Sequence, residues 1–288
     1  MAARPRTLPA AIAPVLVGTA AAVEWVGELP RPAAFVAALI GSIFIQIGTN
    51  LANDYSDAKR GADTADRLGP VRVTSAGLVT PRRVLVATWV AFGVAVACGI
   101  YLTVVAGFVI LLIGAVSIAA GVLYTGGPRP YGYAGLGEVF VFLFFGLVAV
   151  NGSYYVQVEE LQALPLGLSI SVGFLATAIL VVNNVRDIET DRRAGKTTLA
   201  VRVGRQQAVV LYRFLVLGAY VVLPIALIGA DTSLLPLIGL ASLPLAIPPL
   251  RAMSSRTDGP ALNAALAQTG ALLGAFSLLV SLGLLLAA

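Results

Sequence analysis

The 288-residue sequence contains no histidine, a single cysteine and few charged side chains. Without histidine, the chain can form no imidazole base, no Ser-His-Asp triad and no histidine-ligated metal site. Cys98 alone can form neither a disulfide framework nor a thiolate zinc site. Only 11% of the residues are charged and 58% are hydrophobic, whereas an ordinary soluble domain has about 25% charged residues. These absences exclude a soluble globular enzyme, a disordered tail and a fibrous protein, and they indicate a lipid bilayer as the solvent.

Nine apolar stretches are long enough to cross a bilayer, which takes about 17–25 residues each. They lie at 9–26, 33–53, 84–105, 107–125, 136–156, 165–186, 208–229, 233–251 and 261–287. The first stretch lacks a small-residue cleavage site, so we interpret it as a membrane helix and not as a removable signal peptide. The turn-like sequence at Gly107 alone divides the third stretch from the fourth. The sequence therefore predicts an all-α protein, a bundle of nine transmembrane helices in a single domain over residues 1–288.

The basic residues test the number of spans. With nine spans, 18 of the 19 Lys and Arg residues fall on the side that carries the N-terminus, and Arg31 alone lies on the other. The positive-inside rule makes the first side cytoplasmic and places the C-terminus outside. We therefore expect a multi-pass protein of the cell membrane whose net charge of +5 reflects topology and not a nucleic-acid partner.

Two similar polar segments follow apolar spans on the predicted cytoplasmic side. They contain Asn50, Asp54 and Asp57 at the end of the second span, and Asn183, Asp187 and Asp191 at the end of the sixth. On a helix, the first three would fall within about 60° of one face and the second three within about 80°. A glycine follows each last aspartate by four residues, so we interpret 50–57 and 183–191 as a pseudo-repeat. Internal repeats in membrane proteins often place the site at the repeat interface.

Aspartates at a membrane surface are commonly solvated loop residues. These follow apolar helices, however, and carboxylates are disfavoured at the negative end of the helix dipole and repel one another on a shared face. A cation between the clusters would remove both costs. Oxygen ligands without His or Cys suit a hard ion, Mg²⁺ before Ca²⁺, and Mg²⁺ commonly takes substrate phosphates as further ligands. The clusters therefore predict a Mg²⁺–diphosphate site.

Basic side chains follow both clusters and are candidates to contact the diphosphate, although bases on this face also orient the protein. A Gly-Pro turn separates Arg67 from Arg72, and Lys196 follows the second cluster. An apolar cavity beneath such a site suggests that the substrate is a lipid diphosphate. Metal ions and bases that neutralise the leaving diphosphate would let an allylic C–O bond ionise without any histidine.

The two motifs resemble those of the UbiA superfamily of intramembrane prenyltransferases. The resemblance extends through the segments Arg4–Gly18, Asn50–Thr80, Leu123–Gly146 and Asn183–Gly204. The Arg67-Leu-Gly-Pro segment and the Tyr124-Thr-Gly-Gly-Pro segment, which leads to Glu138, are similar to the menaquinone branch. The last three helices match only as hydrophobic spans.

The resemblance implies a helix bundle around a central cavity that is open laterally to lipid. It implies that the six motif residues hold two Mg²⁺ ions on a polyprenyl diphosphate, with Asp54, Asp57, Asp187 and Asp191 as the catalytic acids. It also implies transfer of the prenyl group to 1,4-dihydroxy-2-naphthoate with loss of the carboxyl group, which gives demethylmenaquinone. No obligate protein partner is implied.

Five further residues are candidates at this site. Relatives that prenylate 4-hydroxybenzoate carry Tyr-x₃-Lys after the fourth helix, whereas here Tyr124 is followed by Arg129, a candidate for the role of that lysine at the diphosphate. Gln46, Tyr124, Glu138 and Asp63 are candidates for the acceptor site or the cavity wall. Each has an ordinary alternative: Glu138 could cap a helix and Tyr124 could anchor the chain at the interface.

Other functions stay open at this stage. Another UbiA-type enzyme would use a 4-hydroxybenzoate, homogentisate, haem or chlorophyll acceptor. A cation-coupled transporter is a more distant alternative, because its repeats are commonly inverted whereas these two enter from the same side. A CDP-alcohol phosphotransferase would need a DGxxAR-type motif, which the sequence lacks.

Overall fold

The computed structural model describes residues 4–61, 68–69 and 72–288, and every regular element in them is helical. The helices are α1 (Pro9–Val26), α2 (Pro32–Lys59), α3 (Pro81–Ala106), α4 (Phe108–Leu123), α5 (Gly137–Val158), α6 (Ala163–Arg186), α7 (Ile188–Arg193), α8 (Leu199–Gly229), α9 (Leu235–Ser255) and α10 (Gly259–Leu285). Eight of these are long and apolar enough to span a membrane, and α4, with 16 residues, is a shorter apolar helix. The all-helical membrane fold is therefore confirmed, and the predicted count of nine spans agrees with these nine helices.

Prolines and one aspartate mark where helices begin. Pro9, Pro32 and Pro81 each occupy the first position of a helix, where the missing N–H has no intrahelical partner to lose. Asp258 caps α10 by accepting a hydrogen bond from the backbone N–H of Ala261 at 3.0 Å. Gly107 has φ of 87°, a conformation that L-residues rarely adopt, and it separates α3 from α4 as the sequence predicts.

Three helices differ from their predicted outlines. The predicted seventh span, 208–229, is the second part of α8, which begins at Leu199 and kinks at Gly204. The predicted long loop at 187–207 therefore contains α7 and the first turns of α8. The first part of α9, Leu235–Ala246, is a 3₁₀-helix that contains Pro236 and Pro244. Hydropathy locates a span but not a kink or a tighter winding, because these depend on individual Gly and Pro residues.

The centre of the bundle consists of α6 with α1, α8 and α10 around it. Close backbone contact joins α5 to α6, because a Cβ on Gly146 would lie 2.7 Å from the Cα of Gly173. Gly146 belongs to a π-helical turn, Phe142–Val148, within α5. In contrast, α3 and α4 expose large apolar side chains such as Trp89 and Val104, as lipid-facing helices do. The second Asp motif thus follows the most deeply buried helix of the bundle.

Candidate active site

A cavity of about 430 Å³ lies among α2, α3, α4, α5 and α6. Its walls are mostly apolar, and its polar residues come from both Asp motifs and the loops beside them. The polar lining includes Gln46, Asn50, Asn53, Asp57, Arg72, Tyr124, Tyr133, Asn183, Asn184, Asp187, Asp191 and Lys196. The structure therefore brings five of the six predicted metal ligands into one cavity wall.

Asp57, the last acid of the first motif, is 1% exposed and is bound by three side chains from other segments. Arg72 donates through Nη2 to Oδ2 at 2.9 Å, and Lys196 Nζ lies 3.1 Å from the same oxygen. Tyr133 donates its hydroxyl to Oδ1 at 2.7 Å, and Lys196 Nζ also lies 4.8 Å from the centre of the Tyr133 ring. A buried carboxylate is stable only with such compensation. Two predicted diphosphate-binding residues, Arg72 and Lys196, thus meet at Asp57.

Asp54 has a different environment. Its two carboxylate oxygens accept hydrogen bonds from the backbone N–H groups of Val73 and Thr74, both at 3.2 Å. The side chain is buried, and Asp54 is not among the described residues that line the cavity. Asp54 therefore holds the segment that follows Arg72 against α2, although each oxygen keeps a second lone pair for a metal ion.

The second motif is divided between two helices. α6 ends at Arg186, Asp187 leaves helical geometry with φ of −99° and ψ of 8°, and α7 begins at Ile188. The expected arc of about 80° on one continuous helix is therefore wrong, because the chain turns at Asp187 itself. Asp187 and Asp191 nevertheless both line the cavity, and the Asp191 N–H donates to the carbonyl oxygen of Asp187 at 2.8 Å.

Arg186 compensates the charge of the second motif. Its Nε and Nη2 donate to the two oxygens of Asp187 at 2.8 and 2.6 Å, in the two-point geometry that guanidinium and carboxylate favour. Nη2 also donates to Oδ1 of Asn183 at 2.8 Å. An acid of each motif is therefore paired with a cation, Arg72 and Lys196 at the first and Arg186 at the second.

The donor chemistry of the cavity fits a hard cation that is completed by substrate oxygens. Carboxylate and amide oxygens of both motifs face one space, and this is the ligand type that Mg²⁺ prefers. Within residues 4–61, 68–69 and 72–288, no three acidic side chains form a ready metal cluster. The protein alone would thus supply few carboxylates to each ion, and phosphate oxygens and water would complete the coordination.

The remaining predicted residues occupy different places. Gln46 and Tyr124 line the cavity, and Gln46 Nε2 donates to the Thr7 hydroxyl at 3.3 Å. Glu138 lies behind the cavity wall and accepts a hydrogen bond from Asn184 Nδ2 at 2.9 Å. Arg129 is exposed and is not among the described residues that line the cavity, so the structure does not bring it to the diphosphate end. Arg67 and Asp63 lie outside the described residues.

Two tyrosines beside the cavity are in surroundings that disfavour their phenolates. Burial, followed by the negative charge of Glu138, raises the pKa of Tyr124. Burial also raises the pKa of Tyr131, whose hydroxyl donates to the carbonyl oxygen of Ala120 at 2.9 Å. Both groups stay protonated at neutral pH, and Tyr124 is thereby a hydrogen-bond donor in the cavity wall.

Sequence reasoning missed several residues of this site. Neither Tyr133 nor Arg186 is among the site residues predicted from the sequence. Asn53 accepts a hydrogen bond from the Thr125 hydroxyl at 2.9 Å, and both line the cavity. For Arg186 a signal existed, because it lies inside the second motif, three residues after Asn183. For Tyr133 and Thr125 none existed, since their partners are more than 70 positions away.

A helical membrane bundle with two acidic motifs on one cavity is the architecture of intramembrane prenyltransferases, and the family comparison agrees. Residues 11–269 match the UbiA prenyltransferase family, and the chain belongs to that family.

The chain is similar to named relatives over most of its length, and two bacterial relatives at about 40% identity share one name. The 1,4-dihydroxy-2-naphthoate octaprenyltransferase of Mycobacterium leprae is 40% identical over 285 residues, which cover 99% of this chain and 95% of the relative. The protein of the same name from Escherichia coli is 41% identical over 294 residues, covering 98% and 93%. Human UbiA prenyltransferase domain-containing protein 1 is 32% identical over 242 residues, covering 83% and 70%.

Solved structures agree in fold. A UbiA homologue from Archaeoglobus fulgidus bound to DMAPP and Mg²⁺ superposes with a TM-score of 0.64 at 15% identity, covering 96% of each chain. The same homologue bound to GPP and Mg²⁺ gives a TM-score of 0.64 at 16% identity, covering 96% of this chain and 99% of the homologue. At such identities the likeness supports the shared helix bundle.

Proposed function

We propose that this chain transfers a polyprenyl group from polyprenyl diphosphate to 1,4-dihydroxy-2-naphthoate with loss of the carboxyl group. The observation that carries the proposal is the cavity, where two acidic motifs and the cations paired with them form one end and apolar side chains form the rest. Such a cavity accommodates a molecule with a diphosphate head and a hydrocarbon tail. The naphthoate acceptor is supported by relatives of that name at about 40% identity over nearly the whole chain.

At the diphosphate end, we assign Asn50, Asp57, Asn183, Asp187 and Asp191 to Mg²⁺, with two ions in all, and we assign Arg72 and Lys196 to the phosphate oxygens. Asp54 is proposed to act at the same end, since it holds the segment after Arg72. Bound Mg²⁺ would supply charge neutralisation to the leaving diphosphate. Lys196 and Arg72 already lie together at Asp57, so they can turn from that carboxylate to the substrate over a short distance.

At the acceptor end, we assign Tyr124, Gln46 and Glu138 to the naphthoate. Tyr124 is a protonated donor in the wall and can hydrogen-bond an anionic acceptor oxygen. Gln46 lines the same cavity. Glu138 acts through Asn184, whose amide it holds. An ionisable side chain inside a membrane bundle is commonly functional, because burial there is otherwise unfavourable.

The proposed reaction balances as a substitution. The allylic C–O bond breaks and its electron pair leaves with the diphosphate, while the ring carbon that carries the carboxyl group forms the new C–C bond with an electron pair of the hydroquinone ring. The carboxyl group leaves as CO₂ and its bonding pair returns to the ring. The immediate product therefore stays at the hydroquinone level, and demethylmenaquinone forms from it by a later two-electron oxidation.

We also propose that residues 1–288 form a single domain in the cell membrane, with the N-terminus and the active site on the cytoplasmic side. The basic residues support this orientation. The motifs at 50–57 and 183–191 would then be a pseudo-repeat, of which the second copy has acquired a helix break.

A panel of acceptors tests the proposal. Purified protein in detergent with Mg²⁺ and a polyprenyl diphosphate should prenylate 1,4-dihydroxy-2-naphthoate and release CO₂, and EDTA should abolish the reaction until Mg²⁺ is restored. Prenylation of 4-hydroxybenzoate or homogentisate in the same panel, with the naphthoate left unmodified, would show that the acceptor assignment is wrong.

A further inference from the structure

Asn263 lies on α10 and contacts the second acidic motif and the segment that follows the first. Its Oδ1 accepts a hydrogen bond from Arg186 Nη1 at 2.8 Å. Its Nδ2 donates to the backbone carbonyl oxygen of Leu68 at 2.8 Å. Because Arg186 also holds Asp187 and Asn183, one amide side chain connects the second motif to the segment that follows the first.

The two partners of Asn263 fix its orientation. A guanidinium can only donate and a backbone carbonyl can only accept, so turning the amide over would lose both bonds. Leu262 and Leu266, on either side along α10, are buried in the core, and this fixes the helix beneath Asn263. The Leu68 side chain also packs on α10, because a Cβ on Gly259 would lie 3.2 Å from the Leu68 Cβ.

We propose that Asn263 is a positioning residue for the diphosphate donor, which sets the segment beginning at Leu68 against the Arg186–Asp187 pair. This inference rests on the proposed function, in which Asp187 holds metal and Arg72, four positions after Leu68, contacts phosphate. Asp187 and Arg72 line the same cavity and come from segments more than 100 residues apart. Asn263 spans these two segments through two hydrogen bonds of ordinary length.

A positioning role differs from general packing in what it changes. Loss of packing at α10 would lower the thermal stability and would weaken donor and acceptor binding together. Loss of the two hydrogen bonds would displace groups at the diphosphate end, while Tyr124 and Gln46 at the acceptor end form no hydrogen bond with Asn263 within the part of the chain that the structure describes. Donor binding alone should therefore respond.

The experiment compares Asn263→Ala and Asn263→Asp with Gln268→Ala, a control that removes an exposed amide from the same helix. The direct readout is the Kd for geranyl diphosphate with Mg²⁺ in the full-length protein. We expect about thirtyfold weaker binding for Asn263→Ala, which loses two hydrogen bonds of about 1 kcal/mol each, and about fivefold for Asn263→Asp, which loses one and retains the Arg186 bond. The control should bind as the wild type does, and the KM for the naphthoate should not change in any variant.

A second readout is hydrogen exchange in peptides from residues 72–80, the described part of the segment that Leu68 precedes. Exchange should be faster in both Asn263 variants and unchanged in Gln268→Ala. An unchanged Kd in Asn263→Ala, or an equal rise in the KM values of both substrates, would overturn the inference. If donor binding depends on Asn263 but another acceptor is prenylated, the inference stands and the proposed acceptor fails, so the two failures are distinguishable.

Discussion

The two acidic motifs look alike in the sequence, yet the chain neutralises them in different ways. The first ends on a continuous helix, and the acid that lines the cavity, Asp57, is bound by side chains from three loops. The second breaks its helix at Asp187, and that acid is bound by its immediate neighbour, Arg186. The first cluster therefore depends on tertiary structure for its charge balance, whereas the second carries its own cation.

This difference has a consequence for how the site assembles. Lys196 follows the second motif but lies on Asp57 of the first, and its backbone N–H donates to the Asp191 carbonyl oxygen at 2.8 Å. Lys196 therefore links the two motifs, because its side chain binds the first and its backbone binds the second. Cross-contacts of this kind, together with Asn263, join the two motifs, so the motifs are not independent of one another.

Loss of one acid from each motif should have the largest effect. We expect Asp57→Asn and Asp187→Asn each to lower turnover at least a hundredfold, because each removes a charge that the proposed Mg²⁺–diphosphate needs at the bond-breaking step. The measurement is prenyl transfer by protein whose thermal stability is shown to be retained.

Glu189→Gln is the matched control, since Glu189 is an exposed acid of the second segment that pairs with Arg192 at the surface. It should leave turnover within twofold of the wild type. Normal turnover in either aspartate variant would mean that the two motifs are not equivalent in the reaction.

Lys196→Met should have the next largest effect. It leaves Asp57 with one fewer cation and removes a proposed phosphate contact, so kcat/KM for the polyprenyl diphosphate should fall about tenfold to a hundredfold. Arg192→Met is the control, because Arg192 lies in the same segment and is exposed. Equal effects of the two variants would show that the segment contributes only general positive charge, which salt would screen.

Asp54→Asn separates a metal ligand from a residue that holds a loop. An asparagine retains one of the two oxygens that accept from Val73 and Thr74, so we expect a threefold to tenfold rise in the KM for the diphosphate, from a loss of about 1 kcal/mol. If Asp54 acts through the loop alone, the Mg²⁺ concentration for half-maximal rate should stay at the wild-type value. A large shift of that concentration would place Asp54 among the metal ligands instead.

The sequence was sufficient for the parts of this molecule that depend on local pattern. Nine hydrophobic stretches, the break at Gly107 and the two acidic motifs follow from hydropathy and spacing. The contacts of Asp57 with Tyr133 and Lys196 do not, because they join residues 76 and 139 positions apart. The helix break at Asp187 was also missed, since the spacing of polar residues on an ideal helix assumes that the helix continues.

Tyr133→Phe should have the smallest of these effects. It tests how much a single hydrogen bond contributes to compensating the buried charge of Asp57. The variant removes the hydroxyl that donates to Asp57 at 2.7 Å and keeps the ring under Lys196. Because Arg72 and Lys196 still neutralise the carboxylate, kcat/KM should fall only about twofold to threefold. Tyr131→Phe provides the comparison. Tyr131 lies on the same loop as Tyr133, and this variant removes a hydrogen bond to the carbonyl oxygen of Ala120. A smaller effect of Tyr133→Phe than of Tyr131→Phe would show that the hydroxyl is dispensable to Asp57, and that the two cations alone determine its charge balance.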